Sequence, residues 1–533
     1  MKKFVVLSLI SFLILAFGAT VYGQEKAPTL EFKASGFIDV ITEYNRNVPQ
    51  AGSGTSATGN TSINDVVYSP PIGYMMPTVD GATDKAFDKK MAYMENRGRL
   101  KFDALMGKDM SGTFQFEFDS TRWGERAPSG AQRNFAGHWG VADRSAMELK
   151  HMYFTFGLPW IPVPTVIQAG IQPIGIRPGA FLSTDGPGIT VAFKPDPVQI
   201  KLIWAKAIEN KDWASDDSDL YALEVNAKIS TITVGGYGLV FNMNTYGLGD
   251  GQAAVANPPT IPATSASTLS AGQRVGESNY SSNVYWLGLY ADGKLGPVNL
   301  NFDFVYNNGD VKDRRDLAIK ADDVTFNGWG AILNVGFPWE KFLFGGAMIY
   351  ATGVDQEDTA ASALPGSTTP YGTPSKKANT LIVPAGTEGS VGHSLIIDGA
   401  GINRMNTGFE PAAATQHARA GFGGLWIGKL YAGYQVMPEF GMRIEGMYIC
   451  DTTKNGNTIG NAVKTNGLPR DDQDIGWEID WFNTLQIYKN LSFQFGFGIL
   501  FAGDAMDYRV GTTNTNKSPN TPWVVTSNLT YSF

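Results

Sequence analysis

The chain has 533 residues and a formal net charge of -8, with 43% hydrophobic residues, 12% aromatic residues and one cysteine. An acidic balance argues against a nucleic-acid partner, because proteins that bind nucleic acids carry a basic surface. The single Cys450 excludes an intrachain disulfide and any metal site built from cysteines. The sequence also contains no phosphate-loop or dinucleotide-binding fingerprint.

The amino terminus has the features of an export signal. Lys2 and Lys3 precede an apolar run at 4–17, which is too short to span a bilayer comfortably as a helix. The residues Val-Tyr-Gly at 21–23 suit a signal peptidase, so Gln24 is the predicted first mature residue. Cleavage would remove two lysines and no acidic residue, leaving a mature chain with a charge of -10. The rest of the chain has no apolar run of transmembrane-helix length, so a membrane-spanning form would have to be a closed barrel.

Segments of the mature chain alternate between apolar and polar residues, as strands do when their two faces meet different surroundings. In 112–119, phenylalanines alternate with Gln115, Glu117 and Asp119. A soluble β-sandwich would turn its apolar face inward, whereas a membrane barrel turns that face toward lipid and lines its lumen with polar residues. Three further ranges alternate in the same way: 30–44, 298–306 and 491–499.

The chain ends in an alternating segment whose last residue is aromatic. Trp523, Leu529 and Tyr531 share one face of this segment with the terminal Phe533. Such an ending resembles the terminal signature of bacterial outer-membrane β-barrels. Together with the export signal, it favours an outward apolar face and a polar lumen.

Short and long connections alternate between the predicted strands, as periplasmic turns and extracellular loops do in such barrels. We predict an all-β, transmembrane antiparallel β-barrel of about 18 strands, with 16 as the alternative, and both sizes leave an aqueous channel. The long loops lie near 47–88, 246–281, 353–415, 451–473 and 503–520. The predicted strands lie near 30–44, 91–106, 112–122, 146–156, 165–172, 187–194, 198–206, 219–229, 231–243, 283–291, 297–307, 323–336, 341–351, 419–435, 440–450, 474–487, 491–501 and 521–533.

Three sequence stretches carry a family resemblance. They are EFKASG at 31–36, RGRLKFDALMGKDMSGTFQFEFDSTRWG at 97–124 and GIQPIG at 170–175. They resemble the outer-membrane homotrimeric porins of sulfate- and metal-reducing bacteria, and the likeness is concentrated in 24–205 and at the carboxy terminus. The resemblance implies a homotrimeric diffusion channel in the cell outer membrane, in contact with lipid and lipopolysaccharide and without a cofactor. The chain would then consist of a signal peptide at 1–23 and one barrel domain at 24–533.

The densest line of charge is predicted on the second strand, facing the lumen. Three basic residues in this line could not face lipid, because each would cost about 2–4 kcal/mol at the bilayer midplane. They could form ion pairs that stabilise the wall, or they could set the selectivity of a pore, for which we predict a preference for anions. The line consists of Glu95, Arg97, Arg99, Lys101 and Asp103, and the next strand offers Gln115, Glu117 and Asp119.

The connection at 174–186 is less polar than the other loops and is the predicted constriction. Its apolar residues would be poorly placed on an extracellular surface, whereas folding into the lumen would shelter them. Arg177 and Asp185 would then bring charge to the narrowest point. The alternative is an ordinary connection between strands.

The predicted function is passive diffusion of small hydrophilic solutes and ions through a water-filled channel. The alternatives are a substrate-specific porin for carbohydrate, phosphate or organic acids, and a barrel scaffold for a trans-outer-membrane electron-transfer complex. A hydrolase built on His393 and Ser394 is disfavoured, because adjacent residues rarely orient as base and nucleophile. We therefore predict no catalytic residue, and the four histidines form no ligand-spaced metal cluster in the sequence.

Overall fold

The computed structural model of the chain describes residues 29–47, 90–107, 109–123, 147–209, 217–244, 280–314, 321–360, 363–384, 387, 394–397, 423–510 and 513–533. Eighteen long strands lie in these ranges. The predicted signal peptide and most of the predicted loops near 47–88 and 246–281 lie outside the described residues. Within the described part of the chain, no helix is long and apolar enough to cross a membrane.

The eighteen strands account for nearly all of the regular structure described. They are β1 (Leu30–Arg46), β2 (Lys90–Met106), β3 (Met110–Arg122), β4 (Glu148–Gly157), β5 (Thr165–Ile176), β6 (Leu182–Phe193), β7 (Val198–Ile208), β8 (Ser218–Ile229), β9 (Ile232–Met243), β10 (Tyr280–Leu295), β11 (Val298–Asp313), β12 (Val324–Trp339), β13 (Phe342–Ala351), β14 (Leu425–Met437), β15 (Phe440–Asp451), β16 (Asp474–Tyr488), β17 (Leu491–Ala502) and β18 (Trp523–Ser532). Short pieces at Lys377–Ala378, Tyr508–Arg509 and Asn516–Lys517 and a 3-10 helix at Asp504–Met506 belong to loops.

The sheet closes on itself. Each strand pairs antiparallel with its neighbours in chain order, and β18 pairs with β1 from Phe37 opposite Ser532 to Arg46 opposite Trp523. Beyond this ladder, the backbone N–H of Gly36 donates to the carbonyl of Phe533 at 2.8 Å. Closure gives every strand of the wall two neighbours, which a barrel in lipid requires. The prediction of an 18-stranded antiparallel barrel is confirmed.

Exposure alternates along the strands in the sense of a membrane barrel. In β1, Phe32 is 73% exposed while Asp39 is fully buried. In β3, Phe114 is exposed while Glu117 is buried. The apolar set therefore forms the outer surface and the polar set faces the lumen, as the alternation in the sequence predicted.

Glycine and tyrosine face each other across neighbouring strands on the inner wall. Gly235 of β9 lies opposite Tyr290 of β10, and Tyr237 of β9 lies opposite Gly288 of β10. A Cβ atom on either glycine would overlap the facing tyrosine ring. Each ring thus fills the space that its partner leaves, and these pairs stabilise the wall beyond the backbone ladder.

Several predicted boundaries are corrected by the structure. The turn predicted at Asp292-Gly293-Lys294 lies further on, because β10 continues to Leu295 and the chain reverses at Gly296, whose φ of +61° favours glycine. β14 begins at Leu425 rather than near 419. The strands predicted at 165–172 and 187–194 both extend into the predicted constriction, since β5 ends at Ile176 and β6 begins at Leu182.

The long loops after β13, β15 and β17 are joined to one another at the end of the barrel opposite the short turns. Gln356 donates its backbone N–H to the carbonyl of Lys454 at 2.9 Å, and Gly460 donates to Ala505 at 2.9 Å. Arg470 adds an ion pair of 2.7 Å with Asp507. These bonds give the described parts of the three loops a shared, fixed arrangement.

Candidate functional site

The tip of the β5–β6 hairpin leaves the barrel wall. β5 pairs with β4 only as far as Ile171, and β6 pairs with β7 only from Gly188 onward. Beyond these points, β5 and β6 continue to pair with each other up to Ile176 and Leu182. Gly170, with φ of +131°, stands at the bend, where a side chain would overlap the backbone of β4. The residues from 172 to 187 therefore form an arm that has no ladder pairing with β4 or β7.

The arm reaches into the lumen. Phe181 is 2% exposed, and its ring stacks on Tyr237 with centroids 4.9 Å apart and contacts Trp286 at 6.0 Å. Tyr237 and Trp286 lie on the inner faces of β9 and β10. Ile174 and Leu182 are buried beside them. The low polarity of this connection thus has a physical cause, because its apolar side chains pack inside the barrel.

Arg177 lies at the turn of this arm and is held by two carboxylates. Its guanidinium forms ion pairs with Asp292 of β10 and Asp303 of β11, including an Nη2 to Oδ2 distance of 2.7 Å to Asp303. It also lies over the Tyr290 ring, 4.2 Å from the centroid. Charge-assisted bonds to two acceptors fix both the position and the plane of a guanidinium. The arm therefore bridges the lumen from β5–β6 to β10–β11.

A second charged network covers the inner wall between β2 and β6. Glu117 accepts a hydrogen bond from Arg97 Nε at 2.9 Å and from Arg99 Nε at 2.7 Å, and it lies 3.1 Å from Lys150 Nζ. Lys150 also pairs with Asp185 on the arm at 2.7 Å. The network therefore connects the predicted line of charge on β2, hereafter the stripe, to the base of the inward arm.

Lys150 and His151 both reach this network because β4 is bulged. Gln115 pairs with His151 and the following Phe116 pairs with Leu149, so Lys150 is the extra residue of the bulge. A bulge of one residue lets two consecutive side chains point to the same face. The His151 ring then bridges Asp185, at 2.6 Å from Nε2, and Gln115, at 3.2 Å from Nδ1. Neither Lys150 nor His151 was predicted as a site residue; the signal in the sequence is that 146–156 alternates poorly between apolar and polar residues.

The other predicted site residues lie at different places along the wall. Lys101 pairs with Asp103 at 3.0 Å, and Thr113 donates its hydroxyl to the same carboxylate at 2.6 Å. Glu95 is buried on the inner face of β2. The backbone of Asp119 belongs to β3, but its side chain lies outside the described residues. Arg177 and Asp185 are not brought together, because the first lies at the tip of the arm and the second near its base.

The loop between β13 and β14 also enters the lumen. The Trp286 Nε1–H donates to the carbonyl of Ile382 at 2.8 Å, and the backbone N–H of Ile382 donates to Asn307 Oδ1 at 3.1 Å. Gly328 of β12 leaves space for this segment, since a Cβ atom there would overlap the backbone of Thr380. This part of the predicted loop 353–415 thus packs on the inner faces of β10, β11 and β12.

A further piece of the same loop binds two buried carboxylates of β16. Ser394 donates its hydroxyl to Glu478 at 2.9 Å, and the backbone N–H of Ile396 donates to the same carboxylate at 2.9 Å. Asp480 accepts the N–H of Leu395 at 3.0 Å. The Ser394 hydroxyl is therefore a structural donor, while His393, its partner in the disfavoured hydrolase reading, lies outside the described residues.

These inward segments make part of the inner wall apolar. Leu239, Phe241 and Met243 of β9 face the lumen and are nearly fully buried. The expectation of a polar inner face is wrong for this region. The hairpin arm and the segment around Ile382 cover these side chains, so they behave as a core rather than as a pore lining.

The protein is a closed 18-stranded β-barrel with an apolar outer wall. Comparison with known proteins finds no matching family model and no matching curated protein. Among solved structures, the chain is similar to Acinetobacter baumannii OccAB4, with 12% identity over 95% of this chain and 98% of that chain and a TM-score of 0.44. Pseudomonas aeruginosa OccK8 (OprE) has 11% identity over 94% of this chain and 98% of that chain, with a TM-score of 0.44. Pseudomonas aeruginosa OccD3 (OpdP) has 10% identity over 97% of this chain and 96% of that chain, with a TM-score of 0.43. Similarity at identities this low concerns the fold alone.

The described residues offer no arrangement suited to a metal ion. No group of three or more His, Cys, Asp or Glu side chains in these ranges converges as metal ligands would. The charged networks instead pair acids with bases, as in Arg177 with Asp292 and Asp303. Such a wall presents fixed, paired charges to a solute in the lumen.

Proposed function

We propose that this protein is an outer-membrane porin, a water-filled channel for passive diffusion of small hydrophilic solutes and ions. The observation that supports this most is the closed 18-stranded wall, which is apolar outside and carries ionised side chains inside. A barrel of this size exceeds the diameter that side chains from the wall alone can fill. Ions and polar solutes would therefore pass between the inner wall and the inward-folded segments.

The proposal includes export and assembly. Residues 1–23 would be removed as a signal peptide, and 24–533 would insert into the outer membrane among lipid and lipopolysaccharide. The resemblance to the homotrimeric porins of sulfate- and metal-reducing bacteria supports a trimer. In such an assembly, part of the outer wall would be covered by neighbouring copies.

The stripe on β2 supports a preference for anions. The side chains of Arg99 and Lys101 are 27% and 37% exposed, whereas Glu117, which pairs with Arg99, is only 2% exposed. Water and permeating ions thus meet the basic groups of this network more than the acidic ones. Low-dielectric walls strengthen the field of such groups on a passing ion.

The inward segments support small solutes rather than a macromolecular cargo. The hairpin arm touches β9, β10 and β11, and the segment around Ile382 packs on β10, β11 and β12. A scaffold that sheathes an electron carrier would need a wide bore at these positions. The described segments reduce the bore there.

The test is reconstitution of the purified full-length chain in planar bilayers. Discrete conductance steps that scale with KCl concentration are the expected result. A chain that folds, as shown by a heat-dependent shift in gel mobility, yet yields no conductance steps would contradict the proposal. Copurification with a multihaem protein from native membranes would support the scaffold instead.

A further inference from the structure

Two acidic side chains on the inner face of β16 are buried together beneath the segment 394–397. Glu478 and Asp480 are both fully buried. They lie two residues apart on one strand, so they share a face, and their carboxyl groups contact each other. Two carboxyl groups in contact repel strongly when both are ionised, which favours one proton between them. The pair is therefore a candidate proton-binding site.

One oxygen of this pair has no donor. Asp480 Oδ2 accepts the N–H of Leu395 at 3.0 Å, whereas Asp480 Oδ1 is buried and has no hydrogen-bond partner among the described residues. A buried carboxylate oxygen without a donor is costly. A proton on Oδ1 would turn this oxygen into a donor, and the Glu478 carboxylate in contact with Asp480 can accept it. The hydrogen-bonding pattern thus favours a neutral Asp480 beside an ionised Glu478.

The charged groups that face the pair include a third carboxylate with its own cations. Glu445 of β15 lies directly opposite Asp480. The two oxygens of Glu445 pair with Lys429 of β14 and with Arg443 of β15, each at 2.7 Å. Within the described ranges, neither cation forms an ion pair with Asp480, while β17 and the segment 394–397 contain no titratable side chain. An ionised Asp480 would therefore add a buried negative charge opposite Glu445.

The segment 394–397 is bound by these two acids and packs on the wall beside them. Two of its donors bind Glu478 and one binds Asp480. Leu395 lies over Gly498 of β17, where an added Cβ atom would stand 3.0 Å from the Leu395 Cβ and 2.6 Å from Asp480 Oδ1. Because Gly498 has no side chain, Asp480 and the segment share one space on the wall. The charge of Asp480 therefore acts directly on the segment.

We propose that Glu478 and Asp480 bind one proton between them and that this proton fixes the segment 394–397 in the lumen, an arrangement hereafter called the latch. With the proton bound, Asp480 is neutral and both of its oxygens have partners. Loss of the proton in an alkaline medium places a second buried negative charge beside Glu478 and opposite Glu445. The segment is then released, and water reaches Asp480. The effect on solute passage rests on the proposed channel function, whereas the latch itself does not.

The direction of the pH dependence follows from proton linkage. An aspartate that water reaches loses its proton near about pH 4, whereas the latched Asp480 keeps its proton to higher pH. Above about pH 4 the latched form thus binds one proton more than the released form. Each rise of one pH unit lowers the ratio of latched to released molecules by up to about tenfold, until the latched form also loses its proton.

Infrared difference spectra of the full-length protein in detergent test the proton itself. The spectrum of the wild type minus that of Asp480→Asn, at about pH 6, should contain the C=O stretch of a protonated, buried carboxyl group. Asp474→Asn is the matched control, because Asp474 lies on the same strand, is exposed and makes no described contact with the segment 394–397. The spectrum of the wild type minus that of this control should lack the band. Absence of the band from the Asp480 difference would overturn the shared proton.

Hydrogen exchange at the Leu395 amide tests the latch. Protection relative to the intrinsic rate at each pH should fall by about tenfold or more between about pH 6 and about pH 9, in the wild type and in Asp474→Asn. Asp480→Asn imitates the neutral acid, because its side-chain amide offers an acceptor to Leu395 and a donor to Glu478. Its protection should stay within about twofold over the same range. Protection of the wild type that is independent of pH, or that falls equally in Asp480→Asn, would overturn the latch.

The wild type alone carries the comparison if Asp480→Asn does not fold, as judged by its heat-dependent gel mobility. The protonated carboxyl band should then disappear over the same pH interval in which the Leu395 amide loses protection. A band that persists while protection falls would overturn the assignment of the proton to this pair.

Recording in planar bilayers separates the latch from the channel. The single-channel conductance of the wild type should rise reversibly between about pH 6 and about pH 9, and that of Asp480→Asn should not follow. Conductance that stays constant while protection falls would overturn the effect of the segment on solute passage. A protein with pH-dependent protection that never conducts would overturn the channel function and leave the latch standing. A protein that conducts, with protection and infrared spectra independent of pH, would overturn the latch alone.

Discussion

The Nη2 atom of Arg177 lies 2.7 Å from Oδ2 of Asp303, which joins the tip of the β5–β6 arm to β11 across the lumen. The two residues are 126 positions apart in the chain. This contact and the companion pair to Asp292 hold Arg177, and Lys201 of β7 also donates to the carbonyl of Gly175 near the tip at 2.9 Å. The Arg177 guanidinium is therefore one of the groups that set how far the arm extends into the lumen.

Replacement of Arg177 by alanine should release the arm. Each lost charge-assisted bond is worth about 1.5–3 kcal/mol, and two carboxylates would be left facing each other. We expect a larger single-channel conductance with greater current noise. Arg509→Ala, in the loop between β17 and β18, serves as the control and should leave both unchanged. Equal conductance and noise in the Arg177 variant would mean that packing of Phe181 alone holds the arm.

Replacement of both Arg97 and Arg99 by alanine should shift ion selectivity toward cations. The change removes two positive charges from the network. Of the three described partners of Glu117, only Lys150 would remain. The measurement is the reversal potential in a tenfold KCl gradient. A wild type that prefers cations, with a double variant that behaves identically, would show that these arginines only stabilise the wall.

Replacement of Gly288 by alanine should destabilise the barrel. The added methyl group would overlap the Tyr237 ring, which is itself packed against Phe181. Overpacking of this kind costs about 1–3 kcal/mol. The check is the denaturant concentration at which tryptophan fluorescence reports unfolding. Gly446→Ala is the matched control on β15, because a methyl group there meets no atom within 4 Å; equal losses in both variants would refute the role of the Gly–Tyr pair.

Replacement of Glu478 by alanine should loosen the inward segment at Ser394. Its carboxylate accepts the Ser394 hydroxyl and the Ile396 N–H, and a buried N–H without an acceptor costs about 1–3 kcal/mol. Hydrogen exchange at the Ile396 amide should therefore accelerate by about tenfold or more. Glu439→Ala, in a short turn, should leave that exchange rate unchanged. Unaltered exchange in the Glu478 variant would mean that other contacts fix this segment.

The sequence by itself determined the wall of this protein. A strand that separates lipid from lumen must alternate with a period of two. The local pattern therefore predicts the faces of Phe114 and Glu117 without any knowledge of distant residues. Strand number and antiparallel order then follow from the turns between alternating segments. The terminal strand ending at Phe533 was predicted for the same local reason. Bulges are the exception, as Lys150 shows, because one extra residue erases the period.

Only the tertiary structure decided what fills the lumen. The pairing of Arg177 with Asp303 and of Ser394 with Glu478 joins segments that are far apart in the chain. Such contacts leave no local period, because they depend on where the closed wall places each strand. The low polarity of 174–186 hinted that the arm is sheltered, but nothing in the sequence named its partners. The closed barrel brings those groups within hydrogen-bonding distance, and so it decides which segments lie in the lumen.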